Sequence, residues 1–366
     1  MKNRKRTLLA GVAVGALALT GCGDAATDTT TNEGGDLVVG DQIIATAEAY
    51  EAAQGEAPIT FYTGASEVSE QQVADLFAEE TGLEVDIIRL PPNRLNERIL
   101  SEQAAGQLGA DVIRISGEDL IEGIADADVF VPVDLQDDIS QGLFEEAVFE
   151  DGLYYSSYDR IYSFGYNNQV VDEADAPEDW ADLLDPKWSG QSAIVQVGAG
   201  GSTAALTRFQ IDVLGEDYLE EYAANNPRIF DSSAALNDAL ARGEVAVGTI
   251  PVATAYSAVL DGAPISIATP VEGAPAYPFY IGQTGSSSSP NAAEIFMNWM
   301  LATSAQEQAA SMGDYPVRDG ISNPSIGDIE LPPADSEFVY RATIEESLDN
   351  LESDAELWTE IFGYTG

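Results

Sequence analysis

The sequence predicts an α/β fold of two lobes, and three observations carry that prediction. Residues 58–115 alternate strand, helix, strand, helix and strand, the order of a parallel or mostly parallel sheet. A second series of strands and helices follows from Ile161, with no internal repeat linking the two. The apolar content, 45% of 366 residues, supports real cores despite a net charge of −48.

The elements follow in order. Asp41 to Gln54 reads as a helix, with Ile43, Ile44 and Ala47 on one face and Gly55 as its stop. Pro58–Thr63 is a strand with Ile59 and Phe61 on one side, followed by the turn Gly64-Ala65-Ser66. Val68–Thr81 is a helix with the stripe Val73, Leu76 and Phe77, a capping box between Ser69 and Gln72, and Gly82 at its end. Glu84–Leu90 is a strand and Leu95–Gln107 a helix that turns Leu95, Ile99 and Leu100 inward. Asp111–Ile115 is the third strand, ending in Ser116-Gly117-Glu118.

In the second series Ile161–Tyr166 and Ser192–Val197 are strands. The latter leads through Gly198-Ala199-Gly200-Gly201-Ser202-Thr203 into a helix that reaches Leu214. Ala235–Ala241 is a helix, and Glu244–Ile250 and Pro264–Ala268 are strands. Pro290 opens a helix with Ile295, Phe296, Trp299 and Met300 on its apolar side. Ligands of such sheets collect beyond the carboxyl ends of strands, between the lobes.

Composition excludes whole classes of chemistry. Without histidine there is no Ser-His-Asp or Cys-His catalysis and no His-ligated zinc, copper or haem. One cysteine rules out an intramolecular disulfide and a CxxC redox pair. Fifteen bases, of which only Lys2, Lys5 and Lys187 are lysines, against 63 acids argue against a nucleic-acid partner. The acidity reads as the strongly hydrated surface of a halophilic protein and bears on solubility rather than fold.

The amino terminus reads as an address. Lys2, Arg4, Lys5 and Arg6 precede an apolar or glycine run from Leu8 to Leu19, shorter than the roughly 20 residues a membrane span needs. It ends in Leu19-Thr20-Gly21-Cys22, which resembles a bacterial lipoprotein signal: residues 1–21 as signal peptide and Cys22 as the lipidated residue. Cleavage there removes four bases and no acids and leaves a net charge of −52. Residues 22–40 are expected to form a flexible acidic tether that holds the protein at the outer face of the cell membrane.

Several segments carry a family resemblance: Ile59-Thr60-Phe61-Tyr62-Thr63-Gly64, Phe77-Ala78-Glu79-Glu80-Thr81-Gly82-Leu83-Glu84-Val85, Tyr166-Asn167, Gly243-Glu244-Val245-Ala246 and Pro316-Val317-Arg318. The most specific is Trp180-Ala181-Asp182-Leu183-Leu184-Asp185-Pro186-Lys187-Trp188-Ser189-Gly190. From about Thr46 to about Asp319 the chain resembles the extracellular substrate-binding lipoproteins of bacterial ABC importers, and within them the ferric-iron-binding group. The resemblance implies a periplasmic-binding-protein-like fold of two lobes, each a mixed sheet flanked by helices. It implies a division into 41–160 plus 275–318 and 161–274 plus 319–366. The crossovers fall near Asp159–Tyr162, Thr269–Pro278 and Pro316–Gly320. Trp180 and Trp188 mark the family and read as packing residues.

The same resemblance implies a non-enzymatic monomer with no catalytic cofactor, whose partners are an ABC permease and its ATPase. Ferric iron, with or without a synergistic anion, is the first transported ligand it implies, and oxygen donors suit that hard cation. Tyr62, Glu67, Tyr158 and Tyr256 are the metal candidates. The group's adjacent tyrosine pair is represented by Tyr256 alone, within Ala253-Thr254-Ala255-Tyr256-Ser257, and Ser66 and Glu67 occupy the turn where the group carries histidine. The second ligand class is an organophosphonate, phosphate ester or other small oxyanion. Gly200, Gly201, Ser202 and Thr203 lie between a strand and a helix, where backbone N–H groups meet a positive helix end. Ser66, Ser116 and Thr254 would add hydroxyls, and Arg160 reads equally as an anion partner or a structural ion pair. An extracellular carboxylate-dependent hydrolase is the distant alternative, because any two of so many acids can be paired on paper.

Overall fold

The computed structural model describes residues 30–364. The signal segment, Cys22 and the tether up to residue 29 lie outside the described residues. Among the described residues no helix is long and apolar enough to cross a membrane.

The chain enters through a hairpin, β1 (Leu37–Val39) and β2 (Gln42–Ala45), and then α1 (Ala47–Ala53). This corrects the expected helix from Asp41. Gly40 turns the chain at φ +61°, and Leu37, Val39 and Ile44 point into the core with the two-residue period of strands. The tether also ends sooner than residue 40: Leu37 is fully buried, and the Asp36 carboxylate accepts the Ala47 N–H at 2.9 Å.

The first α/β series is β3 (Ile59–Thr63), α2 (Glu67–Thr81), β4 (Val85–Arg89), α3 (Pro92–Ala104), β5 (Val112–Ile115) and α4 (Glu118–Asp126). Strands β4, β3 and β5 are parallel neighbours, as their order predicts. The Ser69–Gln72 capping box does not form, because α2 begins earlier, with Ser66 as its N-cap; Ser69 Oγ is buried without a partner.

After α5 (Asp137–Ser140) and β6 (Val148–Phe149) comes β7 (Tyr154–Asn167), 14 residues long. The second series is β8 (Ala193–Val195), α6 (Gly201–Phe209), α7 (Glu216–Ala224), β9 (Arg228–Phe230), α8 (Ser233–Ala241), β10 (Val247–Pro251), α9 (Val252–Leu260) and β11 (Ile265–Ile267). The helix expected to reach Leu214 leaves α geometry at Phe209 and closes with a π turn, Gln210–Leu214. Strand β12 (Ala274–Gln283) returns to the first series and leads to α10 (Pro290–Met300), which has Pro290 at its first position. Then follow α11 (Thr303–Ser311), three two-residue strands β13 (Ser325–Ile326), β14 (Ile329–Glu330) and β15 (Val339–Tyr340), and α12 (Ile344–Phe362).

The main sheet runs β10-β7-β12-β5-β3-β4, with β6, β11 and β15 as side strands. The antiparallel pair β7 and β12 therefore joins the two series in one hydrogen-bonded path. Cores lie on both faces. Ile59 and Phe61 of β3 pack with Phe77, Phe296 and Trp299, whereas Tyr62 packs on the opposite face with Leu95, Ile99 and Ile113. The second series is centred on Phe164, Trp180, Phe209 and Tyr222. Trp180 Nε1 donates to Gly273 O at 2.8 Å and Trp188 Nε1 to Asp182 O at 3.0 Å, so both tryptophans are packing residues.

Candidate functional site

A cleft of about 270 Å³ opens between the two series, at the carboxyl ends of β3, β4 and β5. Four helices begin in its lining: α2 at Glu67, α6 beside Ser202, α8 at Ser233 and α9 at Val252 after Pro251. Each helix start carries about half a positive charge, so the four together place roughly two positive charges around the cavity. The hydroxyls of Ser66, Ser116, Ser202 and Thr254 line the same space, and none is engaged by another described residue. The cleft is thus rich in unengaged donors.

Glycines let its two sides meet. A Cβ on Gly201 would lie 2.4 Å from Gly117 Cα, and one on Gly200 would lie 3.3 Å from the Pro92 ring. Gly200 also has φ +153°, and Gly117 φ +115°. The loop before α6 therefore rests directly on the loops after β4 and β5, in a closed arrangement.

The basic residues separate structural from available charge. Eight arginines form ion pairs among the described residues. Arg160 touches the cleft, but its guanidinium grips Asp314 with bonds of 2.7 and 2.6 Å and lies over the rings of Tyr158 and Phe279. Burial opposes its charge, and Asp314 more than restores it, so that its pKa stands well above the ordinary value. Arg160 is a structural ion pair. Arg89, at the end of β4, is different. Its Nε donates to Ala65 O at 3.0 Å, and it joins no ion pair among the described residues. Burial lowers its pKa and the Glu67 carboxylate opposes the change. An arginine stays protonated through such shifts, so Arg89 is a fixed cation in the cleft wall.

Of the residues expected from sequence, Ser66, Glu67, Ser116, Arg160, Ser202 and Thr254 line the cleft. Gly200 and Gly201 shape its edge by the contacts above. Thr203 is turned inward, its hydroxyl donating to Val197 O at 2.6 Å and Gly200 O at 2.8 Å. The tyrosines are not brought together. Tyr62 faces α3, where it donates to Glu102 at 3.0 Å and accepts from Arg98 at 2.8 Å; burial and then Glu102 raise its pKa. Tyr158 is sandwiched between Arg114 and Arg160, each guanidinium 5.1 Å from the ring centre, and burial pushes its pKa up to about 12. Tyr256 packs against the cluster of Val252, Ile326 and Leu331. Only Glu67 of the four metal candidates reaches the cavity.

Sequence reasoning missed Arg89, Tyr277 and the segment Asp231-Ser232-Ser233, all of which line the cleft. The signal for the last lay in an Asp-Ser-Ser run before a helix, a common N-cap pattern; Ser232 Oγ indeed accepts the Ala235 N–H at 3.3 Å. Tyr277 is held as a neutral phenol, since burial raises its pKa well above the usual value. Asp231 accepts the Tyr364 hydroxyl at 2.5 Å. Among the described residues no three acidic side chains cluster closely enough to hold a metal ion.

Comparisons with known proteins agree with this architecture. The structure of iron-bound HitA from Pseudomonas aeruginosa is similar at TM-score 0.65 and 21% identity, covering 83% of this chain and 99% of that one. The periplasmic binding protein AfuA from Actinobacillus pleuropneumoniae, with fructose-6-phosphate bound, is similar at TM-score 0.66 and 19% identity, covering 84% and 99%. These likenesses establish the two-lobed periplasmic-binding-protein fold. An uncharacterized protein of Haemophilus influenzae is 28% identical over 180 residues, which span 47% of this chain and about half, 52%, of that relative. The profile of one family matches residues 109–346, well over half of the chain. The chain belongs to the bacterial extracellular solute-binding proteins.

Proposed function

We propose that this protein is the solute-binding component of an ABC importer and that it captures a small oxyanion, a phosphate ester or organophosphonate, for delivery to a membrane permease. Arg89 carries the reading: among the described residues it is a cation without an ion-pair partner, in the wall of a cleft ringed by four helix starts and unengaged hydroxyls. The sugar phosphate in AfuA supports the same ligand class. The two lobes are divided near 160, 275 and 318, and closure brings Gly201 onto Gly117 around the bound ligand. Anchoring through Cys22 at the outer face of the membrane completes the proposal, with the acidic surface suited to a high-salt exterior.

Ferric iron accompanied by an anion is the second reading. The carboxylates of Glu67 and Asp231 and the Tyr277 phenol favour it, because they supply oxygen donors in the cleft, and HitA holds iron. Calorimetry with fructose-6-phosphate, 2-aminoethylphosphonate, inorganic phosphate and ferric citrate separates the two. We expect a phosphate ester or phosphonate to bind without iron, and Arg89→Ala to weaken it about 10- to 100-fold, the equivalent of a charge-assisted hydrogen bond. A visible tyrosinate-to-iron band with ferric ion, together with oxyanion binding that is insensitive to Arg89→Ala, would sink the oxyanion reading in favour of iron.

A further inference from the structure

The two strands that join the lobes have a second face. On β12, Tyr277 and Phe279 turn towards the cleft, and Ala276, Pro278 and Tyr280 turn the other way. Their cross-strand partners on β7 sort accordingly: Arg160 goes with Tyr277, and Asp159 with Pro278. Behind this pair lies a cavity of about 810 Å³, larger than the cleft. Its walls come from both series, with Glu118 at the start of α4 and Ala205 on α6, and from the carboxyl-terminal segment that leads into α12.

Its chemistry is distinct from that of the cleft. The rings of Phe144, Phe149, Tyr280 and Tyr340 make the lining largely apolar. Its charged groups are the carboxylates of Glu118, Glu146, Asp159 and Asp335 and a single cation, Arg341. Arg341 is already engaged, donating to Asp159 at 2.9 Å and to Ala334 O at 2.8 Å. Tyr280 is 1% exposed, and its hydroxyl lies beside the Glu118 carboxyl. Burial, then Asp119 and Asp159, raise the Glu118 carboxyl, and burial followed by the Glu118 carboxylate raises the Tyr280 phenol. Burial and the neighbouring carboxylates thus disfavour added negative charge on this wall. An anion has no unengaged guanidinium to meet there.

We propose that this cavity is a second ligand site, which takes an organic cation with an apolar body, such as a substituted ammonium group. Aromatic rings favour such a cation over a neutral molecule of the same shape, and the carboxylates supply its counter-charge. Because both lobes and the connecting strands form the walls, a ligand there is coupled to lobe closure. The proposal stands independently of what the cleft binds.

Benzyltrimethylammonium is the probe, with its uncharged isostere neopentylbenzene and the anion benzylphosphonate as controls, titrated into the purified chain at constant ionic strength. The expected result is saturable binding of the cation at least tenfold tighter than either control. Glu118→Gln should weaken it at least fivefold, and Ser347→Trp, a half-buried position on the α12 wall, should block it. Arg242→Ala, an exposed position that lines neither cavity nor cleft, should leave it unchanged. Circular dichroism confirms that each variant is folded. Equal binding of the three probes, no saturation at millimolar cation, or binding unaffected by both cavity variants would overturn the proposal.

Discussion

Gly201→Ala tests whether the cleft is closed by contact between its two sides. The new Cβ would sit 2.4 Å from Gly117 Cα and 2.5 Å from its backbone nitrogen. Carbon atoms rest at about 3.5–4.0 Å, so the loops must separate by roughly 1 Å or more. Backbone cannot step aside as a side chain does, and overpacking of this kind costs about 1–3 kcal/mol. On the proposed lobe division, opening separates Gly201 from Gly117, and the penalty falls on the closed form alone. Ligand affinity should therefore drop about 5- to 150-fold, while the melting temperature of the ligand-free protein stays within about 1 °C. Isothermal calorimetry and thermal unfolding without ligand give the two readouts. A ligand-free protein destabilised as much as its binding would show that the contact lies inside one rigid body, and unchanged affinity would show that it is not made in the bound state.

Two further outcomes follow from buried and capping carboxylates. Asp314→Asn leaves the Arg160 guanidinium, 3% exposed, without its counter-charge, and should cost about 3–5 kcal/mol in urea unfolding; the paired change Arg160→Met with Asp314→Leu should recover most of that loss. Asp182 accepts the backbone N–H groups of Glu178 and Asp179 at 2.8 and 3.1 Å, and these hold its pKa below the ordinary carboxylate value. A depressed folded pKa stabilises above the unfolded value of about 3.9 and loses that contribution as pH falls through the folded value. Asp182→Asn should therefore lower the urea midpoint at pH 7 and leave it nearly unchanged near pH 2; a difference independent of pH would refute the assignment.

The parallel strands β4, β3 and β5 were legible because Ile59, Phe61, Val112 and Ile115 stand among clear helix stripes and glycine stops. The cleft loops were legible for a related reason: Ser66, Ser116 and Ser202 follow strands and precede helices. Tyrosine placement was not. Tyr62 and Phe61 are adjacent, and strand alternation sends one to α3 and the other to α10, a choice set by which face each neighbour covers. Arg89 escaped because a lone arginine ending a strand carries no local pattern; its value comes from its place in the cleft wall, where the other arginine, Arg160, is held by Asp314. Arg160 drew attention by its place in the crossover, and Asp314, 154 residues away, engages it. The hairpin at Leu37–Ala45 was hidden because Ile43-Ile44 fits a helix stripe as well as a strand. In the tail, Thr343 and Glu346 form the capping box of α12, a signal present in the sequence.

The distribution of ion pairs has a consequence for the medium around the protein. Nearly every arginine among the described residues is turned inward or tied to a carboxylate, while the chain carries 63 acidic residues. Most carboxylates therefore face only water and one another. Small cations from solution then act as an outer layer of the molecule, held loosely and renewed constantly, which relieves a repulsion the covalent chain leaves uncompensated. The folded state of this protein is, in that sense, a property of chain and salt together.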